Sequence, residues 1–322
     1  MTISYRSGIS IAELVVYVPA MAIAFLLSIR HGFGRSAGWF FLILFCLART
    51  IGPAMQLATI SDPTNVSLYT GSAILQSIGF SPLLLASLGL LSRASESIGK
   101  THRQLVDRRL LMVIQIIIIV ALVLGIIGGV DAGNDFEKTG KFQTGSLSKA
   151  SSALYIVSFA AVIVSTIVLS TSVSHAEPGE KRLILAVGLS LPFLLVRLVY
   201  SCLANFTHRQ TFNQLAGNVT VLLCMSILEE FVVVLLYEGT GLTLKKLDKN
   251  ESVPPQGTHT HSQIPSDSSN ETPLQQQRQR EAKKENPILK IAKMTIIGHI
   301  ITALAGSGKK RDYELEQQYP TK

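Results

Sequence analysis

The chain has 322 residues, 48% of them apolar and 16% charged, with a mean hydropathy of +0.38. That composition is too apolar and too sparsely charged for the two water-soluble domains such a length would otherwise hold. The net charge of +8 falls mostly in short connections and the C-terminal segment, a distribution that argues against a nucleic-acid partner.

The apolar residues arrive in blocks of about 20, the length at which a helix rising 1.5 Å per residue crosses a hydrocarbon core of roughly 30 Å. The first block, Ile9 to Ile29, follows Arg6 and is longer than the apolar region of a signal peptide, so it is read as a retained helix. Further spans are predicted over 38–60, 69–91, 110–130, 151–173, 183–204 and 215–237. These runs are continuously apolar rather than alternating, which excludes strands of a barrel. The expected fold class is all-α, a polytopic membrane bundle of seven transmembrane helices occupying residues 1–240 and surrounded by lipid.

Lys and Arg set the expected orientation. Twelve fall after the first, third, fifth and seventh spans, among them Arg93, Arg108, Arg109 and Lys181, against five in the alternate segments. The richer side is expected to be cytoplasmic, which places the N-terminus outside and the C-terminus in the cytoplasm. Two sequons, Asn65-Val-Ser67 and Asn205-Phe-Thr207, fall in loops on the outer side and mark candidate glycosylation sites. The sequons at Asn218, expected inside the seventh helix, and at Asn270, in the tail, are discounted. Cys46, Cys202 and Cys224 all lie in apolar blocks, where they read as small core residues.

Beyond the seventh span, residues 241–286 turn rich in Ser, Pro, Gln, Asn, Lys and Glu, a composition that cannot bury enough apolar surface to order itself. A disordered cytoplasmic tail is expected there. Residues 287–306 resume an apolar pattern interrupted by Lys290, Lys293 and His299, too short between charges to span. They are read as an amphipathic helix on the lipid surface, followed by a polar end over 307–322 whose Lys309, Lys310 and Arg311 favour anionic headgroups.

Charged residues within the spans carry the functional argument, because each costs about 2.5–3.5 kcal/mol near the bilayer centre and needs a partner or a purpose. Glu13, Arg49, Arg197, Glu229 and Glu230 are such residues. Converting position to depth puts Arg49 at roughly 16 Å and Glu229 at roughly 12 Å from the inner side, and Arg197 and Glu13 at roughly 21 Å and 24 Å. The expected pairs are therefore Arg49 with Glu229, and Arg197 with Glu13. Ser190, Arg197 and Ser201 share one helix face, as do Ser72, Gln76 and Gly79, and both faces are expected to point inward. Pro19, Pro53, Pro82 and Pro192 offer kinks that free backbone carbonyls near Arg49 and Arg197. Gly125 and Gly129 form a small-residue motif expected to allow close packing within the bundle.

These charges fit two readings equally: a polar cavity for a ligand, ion or proton, or ion pairs that only hold the bundle together. All seven histidines fall in loops or the tail, and no lysine lies in the last span, so intramembrane zinc hydrolysis and a retinal-type Schiff base lose support. No enzyme activity and no cofactor is expected. Gly306-Ser307-Gly308-Lys309-Lys310 lacks the first glycine and final hydroxyl of a phosphate loop.

The strings ARTIGP (Ala48 to Pro53) and LQSIGFSPLLLASLGLLSR (Leu75 to Arg93), with Arg197 and Tyr200, resemble an uncharacterised seven-helix family of filamentous fungi over about residues 9–240. The resemblance implies an integral membrane location and brings no established activity. The topology is also similar to that of G-protein-coupled receptors, but Ser92-Arg93-Ala94 stands where those carry Asp-Arg-Tyr, and the seventh span lacks Asn-Pro-x-x-Tyr. The expected function is a receptor-like or sensor protein binding a small ligand in a cavity near Arg49, Gln76, Arg197, Glu229, Glu230 and Glu13. A cytoplasmic partner would be met through the third-span loop and the tail. A transporter or lipid-handling protein and a non-catalytic scaffold are the alternatives, with the plasma membrane as default location.

Overall fold

A computed structural model describes residues 4–31, 37–101, 106–139, 144–175, 179–207 and 217–244. The expected tail, surface helix and polar end lie outside these residues. Seven stretches are long and apolar enough to cross a membrane, so the chain is a multi-pass integral membrane protein by length and composition.

The first span is α1 (Tyr5–His31) and the second α2 (Ala37–Ala58). The third is two helices, α3 (Val66–Ile78) and α4 (Phe80–Thr101), divided at Gly79. The fourth, fifth and sixth are α5 (Arg108–Thr139), α6 (Ser146–Thr171) and α7 (Lys181–Phe206). The seventh begins with α8 (Val219–Leu222), passes through a π-helical turn (Leu223–Ile227) and continues as α9 (Leu228–Thr243). All seven expected spans exist, with two corrections inside them.

The third span is broken because Pro82 has no N–H and its ring crowds the carbonyl four residues back, at Ile78. The hydroxyl of Ser81 takes up that carbonyl at 3.2 Å. The seventh span starts four residues later and ends six residues later than apolarity alone indicates. Asn218 caps it, its side-chain oxygen accepting the Thr220 N–H at 2.9 Å, rather than lying within it.

α4 is central and packs on α2, α5, α6 and α7, while α1 lies between α2 and α9. The third span is the most enclosed and α5 the least, with Val113, Ile116, Val120, Val123 and Ile127 turned outward as a lipid-facing surface must be. Gly125, Gly128 and Gly129 face inward against Ser151, Ser148 and Ile74, so the glycine motif serves packing inside the bundle. α1 and α9 run in parallel with a constant offset of 210 residues: Tyr17 Oη donates to the Ile227 carbonyl at 3.4 Å, and His31 Nε2 meets the Gly241 carbonyl at 3.1 Å. The two strips fit closely because Gly241 has no Cβ; one would sit 2.8 Å from Leu27 and collide with the Trp39 ring.

The two ends of the bundle differ. Near the end of α4, Arg93 forms a buried bidentate pair with Glu180 ahead of α7, Nε and Nη2 donating at 2.7–3.2 Å. At the same end Arg30 donates to the terminal carbonyls of Leu242 and Leu244. The end that carries Tyr5 and Val219 instead holds a cleft.

A charge network beneath a polar cleft

Glu230 is the hub of the interior. α9 turns Glu230, Val233, Val234, Tyr237, Glu238 and Gly241 inward, at helical spacing, and leaves Leu228, Leu235 and Leu242 about half exposed on the opposite face. One carboxylate oxygen of Glu230 receives Arg197 Nε at 2.6 Å and the other is in contact with Arg49 Nη2. Glu13 completes the group with its Oε1 3.6 Å from Arg49 Nη1. Arg49, Arg197 and Glu230 are almost wholly buried, and Glu13 is only 5% exposed.

This arrangement corrects both expected pairs. Glu229 is half-buried and takes no part, and Arg197 pairs with Glu230 rather than with Glu13. The cause is the end of the seventh span. Counting from Thr243 instead of Tyr237 moves Glu230 to a depth of roughly 20 Å, level with the roughly 21 Å of Arg197.

The two arginines are bound very differently. Arg197 uses its whole fork: besides Glu230, Nη1 donates to Ser201 Oγ at 2.5 Å, and Nη2 to the carbonyls of Gln76 at 3.0 Å and Ser77 at 3.4 Å. Those carbonyls end α3, so the guanidinium caps a broken helix at its negative end. Arg49 makes a contact to Glu230 and one long bond to Ser226 Oγ at 3.5 Å, while its Nε and Nη1 have no hydrogen-bond acceptor. Ser226 is supplied by the π-helical turn, a distortion that often accompanies functional sites. Gly79 admits this packing, since a Cβ there would stand 3.1 Å from Arg49 Nη2 and 3.3 Å from Glu230 Oε1.

Above the network a narrow cleft of about 30 Å³ lies between α1, α2, α3 and the start of the seventh span. Arg6, Ser10, Glu13, Gln56, Ser72 and Gln76 supply its polar lining. Glu13 is thus shared between the cleft and the network, and its Oε1 has no hydrogen-bond donor. Gln76 stands beside Glu13, as its spacing with Ser72 on an inward face predicts. Gln56 links the walls through long bonds, its carbonyl accepting from Ser72 Oγ at 3.5 Å. Arg6 and Gln56 were not singled out by the sequence; Arg6 is separated from Glu13 by seven residues on one helix, the spacing that would have marked it.

The remaining candidates separate. Asn65 precedes α3 and donates to Asp62 Oδ2 at 3.2 Å in an exposed turn. Asn205 ties α7 to α6, its amide donating to Ser152 Oγ at 2.7 Å. Ser190 meets Tyr237, which also bonds Ser87, at 2.7 Å and 2.6 Å. Among the described residues no three His, Cys, Asp or Glu side chains gather as metal ligands.

A family model described as a domain of unknown function (DUF7702) matches residues 3–247. No curated protein and no solved structure matches the chain.

Proposed function

Because the chain belongs to the DUF7702 family, whose description carries no activity, we propose its function from the cleft itself: it is a receptor-like membrane protein that binds a small polar ligand between α1, α2, α3 and the seventh span. The observation that carries this reading is the unequal bonding of the two buried arginines. Arg197 donates from all three of its nitrogens. Arg49 holds two donors in reserve one carboxylate away from the cleft, where a bound ligand that moved Glu13 would alter the Arg49–Glu230–Arg197 chain. That chain joins α1, α2, α7 and α9, whose far ends reach the opposite face. Occupancy of the cleft is thereby coupled to helix position, which is what a receptor needs. With the N-terminus outside, the cleft faces the exterior and the Arg93–Glu180 end faces the cytoplasm, where a partner would read it.

One observation favours a carrier as the second reading: the third span is discontinuous, and transporters build midplane sites from broken helices whose terminal carbonyls meet the substrate or its ions. Here those carbonyls are already taken by Arg197.

The test is a thermal-stability screen of purified protein against small metabolites, run on the wild type and on Glu13→Gln. Compounds that stabilise the wild type and lose most of that effect in Glu13→Gln support the cleft. Flux of the same compounds in proteoliposomes would transfer the reading to a carrier.

A further inference from the structure

The size of the cleft limits its occupant before chemistry does. It holds about 30 Å³, where sites for drug-sized ligands run to roughly 300–1,000 Å³. A water needs about 10–15 Å³ and roughly two to four polar partners. Ser10, Glu13, Gln56, Ser72 and Gln76 supply such partners around the space.

Glu13 is where the cleft meets the charge network. It is 5% exposed, its Oε1 has no hydrogen-bond donor, and Arg49 Nη1 stands 3.6 Å from that oxygen, beyond hydrogen-bonding distance. Arg49 makes its close contact with Glu230 instead, whose other oxygen holds Arg197. Glu230 therefore has a guanidinium on each carboxylate oxygen, and Glu13 has one loose pair. A carboxylate kept ionised within the bilayer without a close partner is costly, so of the two it is Glu13 that can exchange its charge for a proton. As a neutral acid it becomes a donor, able to give its hydrogen to Gln76 beside it or to a water in the cleft. The remaining groups near Glu13 are Tyr17 and Arg6 on α1, Glu230 from α9 and, behind Glu230, Arg197 from α7. Arg6 lines the cleft but also lies near Tyr200.

We propose that the ligand of the cleft is a proton, delivered to Glu13 through one water, an inference that deepens the receptor reading and rests on the cleft being a ligand site. Binding forms an O–H bond on Glu13 and returns the hydronium that gave the proton to water. Arg49 then keeps Glu230 as its one counter-ion, so the charge that ties α1 to α2 is removed by a ligand that needs no added volume. A metal cation fits less well. It calls for several oxygen ligands at once and would lie against Arg49, with Glu13 as the single carboxylate among the lining residues. An anion would face that carboxylate at close range.

The experiment is infrared difference spectroscopy of the full-length protein in lipid nanodiscs, stepped between mildly alkaline and mildly acidic buffer with no metabolite added. Acidification should produce the carbonyl stretch of a protonated carboxylic acid, and Glu13→Gln should lose it. Glu13→Asp should keep the band at a shifted frequency, which loss of folding would not produce. Ser72→Leu, which fills the space of one water, should slow the shift of the band on transfer to heavy water. An exchange rate unchanged in Ser72→Leu overturns delivery through the cleft. A band that follows sodium concentration at fixed pH assigns the site to a metal cation and overturns the proton. No band, or one untouched by Glu13→Gln and Glu13→Asp, also overturns the proton; compounds from the metabolite screen that depend on Glu13 would then leave the cleft as a ligand site, and their absence would overturn both readings.

Discussion

Glu229 and Glu230 are neighbours in sequence with opposite roles in the structure, and substitution should separate them. Glu230→Gln removes the charge that faces both arginines, leaving buried Arg197 without its counter-ion and Arg49 with only Glu13, 3.6 Å away. A loss of about 3–5 kcal/mol is expected, the usual effect of breaking a buried pair from one side. Glu229→Gln should change stability by less than about 0.5 kcal/mol, since that side chain is half-buried and outside the network. Thermal unfolding of both variants in the same detergent measures the contrast. Similar losses from the two would mean that the hub has been misplaced. The arginines divide in the same way. Arg197→Lys cannot reproduce the fork that holds Glu230, Ser201 and the ends of α3, so it should destabilise strongly, while Arg49→Lys keeps the charge near Glu230 and should cost less. The presence of buried charge was legible in the sequence because an Arg or Glu inside an apolar run stands out. Its pairing was not, because depth counted from an apolar block inherits any error in where the helix ends. Tyr237, Glu238 and Gly241 continue the inward spacing of Glu230 and were the available signal that the last helix ran on to Thr243.

At the scale of elements, the divided third span is the feature on which the site depends. Gly79 and Pro82 together create it: the proline disrupts the hydrogen bonding of the preceding turn, and the glycine lets Arg49 and Glu230 approach the gap. Gly79→Ala should therefore cost about 1–3 kcal/mol, because the new methyl meets a guanidinium and a carboxylate that are both held in place. Circular dichroism should show unchanged helix content, with the loss confined to the melting temperature. A Gly79→Ala protein as stable as the wild type would show that the network has room to relax. The proline was visible in the sequence as a kink and the glycine as part of an inward face with Ser72 and Gln76. What apolarity could not register was the break itself, since a hydropathy window averages across one residue, or the π-helical turn, which has no composition of its own.

For the whole molecule, the contrast between ends matters most. One end opens into a polar cleft; the other is tied by Arg93 to Glu180, by Arg30 to the end of α9 and by His31 to Gly241. Replacing Glu180 alone by Met leaves Arg93 buried and unpaired and should cost about 3–5 kcal/mol, while changing both Arg93 and Glu180 to Met should recover most of it. A double variant no better than the single one would show that the pair has a role beyond charge balance. Seven spans were readable from block length alone, because lipid imposes a strict length on a helix. The arrangement of those helices was not, since every apolar face looks alike to lipid and only the inward polar groups distinguish one neighbour from another.

The most direct measurement is accessibility of the cleft to a water-soluble, membrane-impermeant thiol reagent, with Cys46, Cys202 and Cys224 first replaced. Single cysteines at Ser10 and Ser72 on the cleft wall should be labelled rapidly and from one side of the membrane only, while a cysteine at Ser190, bonded to Tyr237 within the bundle, should stay unlabelled. Protection of Ser10→Cys and Ser72→Cys from water, at the rate seen for Ser190→Cys, would contradict a ligand cleft and leave the buried charges as packing alone.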